Sequence, residues 1–170
     1  MKSILTLLLF VSLVATSFGQ EKRPDNIGVG NYDEFKNNSF DINGQSHKAN
    51  QDLLTLDKEI KGYAGIINTL DAQKLTKDYN AILGLNKFSK EIAGKISQLD
   101  DQGKQMIDGA KDVSPKMKSS SAANNTNKSI KALEASRKNL TSMSVLLKED
   151  ANLLSTELKK RGEPVEEFVE

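Results

Sequence analysis

The stretch Asn43–Leu70, NGQSHKANQDLLTLDKEIKGYAGIINTL, decides the fold class. Counted from Ile42 just before it, the apolar residues are Ile42, Ala49, Leu53, Leu56, Ile60, Tyr63, Ile67 and Leu70. After one step of seven, the spacings alternate between four and three. That alternation is the a/d pattern of a heptad, and it places every one of these side chains on a single stripe of an α-helix.

Two ladders of the same kind lie downstream. The first is Tyr79, Ile82, Leu85, Phe88, Ile92, Ile96, Leu99, Met106, Ala110 and Val113; the second is Ile130, Leu133, Arg137, Leu140, Ser144, Leu147, Ala151, Leu154 and Leu158. A helix with one apolar stripe must bury it against another element, so three such helices predict an all-α, elongated antiparallel three-helix bundle with coiled-coil-like packing. The expected helices cover about 43–70, 75–112 and 126–160. Ser46 or Asn43 is the expected N-cap of the first. Between the first two helices the phase changes: continuing in register would bury Lys74 and Lys77, which predicts a turn at Asp71–Lys74 with both lysines exposed. A turn at Gly84–Asn86, or one continuous helix, remains an alternative. Ser114-Pro115 stops the second helix, and Gly162 followed by Pro164 stops the third.

Outside the ladders, three segments read as irregular. Residues 20–42 carry Pro24, Gly28, Gly30 and Asn37-Asn38-Ser39, the chemistry of turns, and form a predicted irregular N-terminal arm. Residues 116–127 (KMKSSSAANNTN) are a polar low-complexity loop, and 162–170 an acidic, disordered tail. Residues 1–19 have the layout of a cleaved signal peptide: Lys2, an apolar run from Ile4 to Ala15, then Ser17 and Gly19 at the small-residue positions. No Cys follows that run, which excludes a lipoprotein-type modification. The expected location is secreted or periplasmic.

Charge and composition exclude several functions. The chain has 24 basic and 23 acidic residues, and Lys2 leaves with the leader, so the mature chain is neutral and lacks the basic field that nucleic-acid binding requires. With no Cys and a single histidine, His47, a thiolate or zinc centre cannot be assembled. Ser46 and His47 are adjacent, but a triad needs a cleft that nothing in the pattern provides. Asp41, Asn43 and Gly44 match part of a calcium loop, yet Ser39 and Asn50 stand where its first and last ligands belong. No catalytic residue, metal, cofactor or small-molecule substrate is indicated. Four Asn-x-Ser/Thr sequons, at Asn37, Asn124, Asn127 and Asn139, are accounted for by the abundance of these residues.

Helix 2 carries Gly84, Gly94, Gly103 and Gly109, which implies either close approach of a neighbour or bending. The candidate interaction surface comprises Arg137 and Ser144, polar residues on ladder positions, and the arm aromatics Tyr32, Phe35 and Phe40. The expected function is that of an exported, non-enzymatic structural or protein-interaction module, with a protein partner or self-association. The alternative is an amphipathic bundle that engages a membrane or lipid, and an enzyme is the weakest reading.

Overall fold

The computed structural model describes residues 22–169. The leader expected at 1–19 lies outside the described residues, as does Glu170. Among the described residues every regular element is helical: α1 (Gly30–Lys61), α2 (Ala72–Gly109) and α3 (Met117–Lys160), with short 3-10 turns at Ile67–Thr69 and Ala110–Asp112. The three helices pack against one another.

The expected irregular arm is corrected: α1 starts at Gly30, not near residue 43. Its start is fixed by Asp33, whose carboxylate accepts from the backbone N–H groups of Ile27, Gly28 and Val29 at 2.8, 2.8 and 3.1 Å. The ladder does extend upstream, through Tyr32, Phe35, Ser39 and Ile42, but Ser39 and Ser46 hide it. Both serines are fully buried, each returning its hydroxyl to a carbonyl of its own helix, Ser39 to Phe35 at 2.8 Å and Ser46 to Asn43 at 3.0 Å. A hydroxyl satisfied this way can sit in a core. Ser46 fills the step of seven and is no N-cap.

Helix α1 ends at Lys61, so Tyr63, Ile67 and Leu70 reach the core from the connection between α1 and α2. The turn is therefore Gly62–Asp71, earlier than expected, with Gly65 at φ +82 and Asp71 capping α2 by accepting from Gln73 N–H at 3.0 Å. Lys77 is exposed. Lys74 is half-buried: it pairs with Glu59 at 2.6 Å and lies 5.3 Å above the Tyr63 ring. Arg161, at the end of α3, clamps the same turn by donating to the carbonyls of Leu70, at 2.6 Å, and Ile67.

The polar segment 116–127 is helical, not a loop, and α3 begins at Met117. Its small residues Ala122, Thr126 and Ser129 are buried, with Thr126 and Ser129 donating back to Ala122 and Asn125 carbonyls at 2.9 and 2.7 Å. The acidic tail is also corrected. It lacks regular structure but is docked, with Val165 and Phe168 packed on the core.

The core has two parts. One gathers Tyr32, Phe35, Ile92, Ile96, Leu99 and Leu133; the other gathers Leu53, Ile60, Leu75, Ile82, Leu147 and Leu154; Phe88 and Leu140 touch both. Fully burying one such side chain contributes roughly 1.5–3 kcal/mol. Gly103 is required by packing, since a Cβ there would lie 3.0 Å from Phe35 and 3.3 Å from Ile130. Gly84 and Gly94 face open space, so close approach accounts for Gly103 and not for them.

Candidate functional site

Of the five residues expected to form an interaction surface, three are inside. Tyr32, Phe35 and Phe40 are core residues, because the helix they were thought to precede includes them. The Tyr32 hydroxyl donates to the Met106 carbonyl at 3.0 Å, closing α1 onto α2. Arg137 and Ser144 do reach the surface. Arg137 pairs with Asp100, bridging α3 and α2, and Ser144 is exposed with its hydroxyl turned to Thr141 O at 2.9 Å. The two stand seven residues apart on α3, ~10 Å at 1.5 Å per residue.

The other motif residues are absorbed by α1. Ser46 beside His47 is engaged twice, donating to Asn43 O and accepting from Asn139 Nδ2 at 3.2 Å. Asp41 pairs with Arg23, and Asn43 donates to Ala132 O at 2.9 Å, so neither is arranged as a calcium ligand. Among the described residues no group of three or more His, Cys, Asp or Glu could hold a metal ion.

Two features remain that sequence reasoning missed. The first is a polar seam between α1 and α3. Lys36, Asn43, Asn50 and Asp57 recur every seven residues on α1; Ser129, Ser136, Asp150 and Glu157 follow the same spacing on α3, with Met143 at the remaining rung. All but Asn50 of these polar residues are buried. At one level Asn43 Nδ2 donates to Ala132 O and lies 3.4 Å from Ser136 Oγ, which itself donates to Ala132 O at 2.9 Å. Two heptads further along, Asp57 and Asp150 come close enough to repel. Lys61 serves Asp57 at 2.7 Å, while Asp150 Oδ2 is buried without a hydrogen-bond partner. Burial, then the charge of Asp57, push the Asp150 carboxyl up to about 6. Asp57 and Lys61 are spaced as a solvent-facing i,i+4 pair, and the pair forms, but its carboxylate is 8 % exposed and faces the seam. Neighbouring carboxyls are the raw material of acid/base chemistry, but Asp57 and Asp150 are both buried between helices.

The second feature is the seat of the tail. The turn after α3 is set by Gly162 at φ +77, with Gly162 N–H bonded to Lys159 O and Glu163 N–H to Leu158 O, both at 3.0 Å. This pair of bonds closes the helix as a Schellman motif and turns the chain back. The tail then lies along α2. Tyr79 Oη donates to Glu166 O at 2.6 Å; Asn86 Nδ2 and Lys90 Nζ donate to Val169 O at 2.7 and 2.8 Å. Burial, then the charge of Glu166, raise the Tyr79 hydroxyl above its usual value. The only sequence signal for this seat was Val165, Phe168 and Val169, three apolar groups in an otherwise acidic segment.

No family model, curated protein or solved structure matches this chain. Among the described residues no helix is long and apolar enough to cross a membrane.

Proposed function

We propose that this chain is an exported, non-enzymatic three-helix bundle that works as a protein-interaction or structural module. The leader layout of residues 1–19 supports export. An up-down-up, antiparallel order is supported by the pairings: Phe35 with Gly103 and Tyr63 with Asp78 run in opposite senses, whereas Asn43 with Ala132 and Ser46 with Asn139 run in the same sense. The observation that carries the interaction reading is the tail seat, where side chains of α2 grip a non-helical segment by its backbone carbonyls, as peptide-binding surfaces do. The test is affinity capture from the exported fraction with the mature chain, together with light scattering. A saturable protein partner or a defined oligomer is expected; a strict monomer that captures nothing overturns the reading.

A second reading, a bundle that opens onto a membrane or lipid, is favoured by the polar α1/α3 seam and by two separate core clusters that, among the described residues, share Phe88 and Leu140 as partly buried neighbours. Flotation with neutral and anionic liposomes tests it, and failure to float with either ends it.

A further inference from the structure

The tail contact has the geometry of a bound peptide. Tyr79 and Asn86 stand seven residues apart on α2, which is ~10 Å of helix at 1.5 Å per residue. The carbonyls they hold, on Glu166 and Val169, are three residues apart, which is ~10 Å only if that piece of chain is almost fully extended. The tail therefore runs beside α2 as an extended, irregular segment whose three-residue step matches two turns of the helix. Val165 and Phe168, also three apart, pack onto the core cluster that contains Leu75, Tyr79, Ile82 and Leu158. Affinity comes from main-chain carbonyls and selectivity from two side-chain positions, the division of labour of peptide-recognition grooves.

Basic side chains also lie beside this acidic segment. The tail carries Glu163, Glu166 and Glu167; Lys90 on α2 holds its far end, and Lys77 lines an open groove of about 640 Å³ beside Glu163, with Thr76 and Asn80. The tail is tethered through a single glycine turn at Gly162, where a Cβ would meet nothing within 4 Å. Such a short terminal segment, held by three hydrogen bonds and two side chains, belongs to the part of a fold that opens locally well before the rest.

We propose that the groove filled by residues 163–169 is a docking site for an extended acidic segment of a partner protein, with an aliphatic residue three positions before a phenylalanine, and that the chain's own tail is an internal competitor. This rests on the interaction-module reading. The tail occupies the groove at the high effective concentration of a tethered ligand, so a partner binds only as the tail swings out.

The test uses the full chain and a fluorescent peptide of sequence EPVEEFVE, read by anisotropy. A chain with Val165→Ala and Phe168→Ala, which keeps the groove and loosens the tail, binds the peptide at least about tenfold more tightly than the wild type, since a weakened tether-held competitor is easier to displace. Adding Asn86→Ala to that chain weakens binding several-fold, and a peptide with Ala in place of Phe does not bind. Should the double variant fail to fold by circular dichroism, the single Phe168→Ala chain gives the same order with a smaller gain. A folded, loosened chain that binds the peptide no better than the wild type overturns the proposal. If a captured partner is indifferent both to Asn86→Ala and to excess peptide, the groove is wrong while the module reading stands. If wild-type chains associate and the peptide dissolves the assembly, the occupant is the tail of a second copy and the partner assignment falls. Absence of any captured protein or oligomer overturns the module reading instead.

Discussion

The two polar levels of the α1/α3 seam are built on the same spacing and solve burial differently. At Asn43 the amide donates to Ala132 O, and the Ser136 hydroxyl beside it donates to the same carbonyl. At Asp57 and Asp150 two acids meet over a single ammonium group, and one oxygen of each carboxyl lacks a hydrogen bond. A neutral layer whose groups are bonded fixes helix register at little penalty, whereas a buried like-charge pair strains the fold. Both levels should therefore favour an amide over an acid: putting an acid in at Asn43 should destabilise, and putting an amide in at Asp150 should stabilise.

The largest effect is expected from Asn43→Asp. It removes the donor to Ala132 O and buries a carboxylate without a cation, a loss of about 3–5 kcal/mol at pH 7 in urea titrations. A loss below 1 kcal/mol would mean that this level is open to water, and the contrast would collapse.

Gly103→Ala, in the same half of the bundle as Asn43, comes next. The added methyl meets Phe35 at 3.0 Å, and overpacking of this kind costs about 1–3 kcal/mol. Gly94→Ala is the control, because its Cβ meets nothing within 4 Å; it should stabilise by about 0.5–1 kcal/mol through helix propensity. Thermal melts of the pair read both, and equal shifts for the two would remove tight packing as the reason for Gly103.

Asp150→Asn should gain on the order of 1–2 kcal/mol at pH 7, since it relieves burial of a charge beside Asp57. Its sign with pH follows from the raised proton affinity. Asp150 titrates near its usual 3.8 when unfolded and at about 6 in the fold. Between those values the folded chain binds more protons, so stability falls as pH rises from about 4 to 6. Acidifying wild type from pH 7 towards 5 should stabilise this site, and the variant should lack that gain. Denaturant midpoints across the range read it; a parallel pH dependence in both proteins would show that Asp150 does not titrate there.

How much of this was legible in the sequence depends on which side chains carried the signal. Leu53 to Ile60, Ile82 to Leu99 and Leu133 to Leu158 are branched or aliphatic residues at helical spacing, and their helices and inward faces followed directly. The break between α1 and α2 was legible from the exposed Lys77, although its position was not, because Tyr63, Ile67 and Leu70 keep facing inward from a turn. The beginnings of α1 and α3 were hidden by Asn, Ser and Gly, which are as much at home in a turn as in a helix. Ser39, Ser46, Thr126 and Ser129 declare themselves helical only once their hydroxyls return to the preceding turn. The tail read as disordered because its acidic residues gave no hint that Tyr79, Asn86 and Lys90 would hold its carbonyls.

The sequence by itself determined the period of the three apolar stripes and the stop at Gly162, because periodicity and φ preference are properties of a local stretch of chain. The tertiary structure alone decided which polar residues are buried. A serine can be satisfied in a core by a carbonyl of its own helix, but the Asn43 amide and the tail carbonyls are met only by partners distant in sequence. That partner is supplied for Asn43 by Ala132, and for the tail by α2; Asp150 Oδ2 has none, and burial, then the charge of Asp57, raise its carboxyl to about 6.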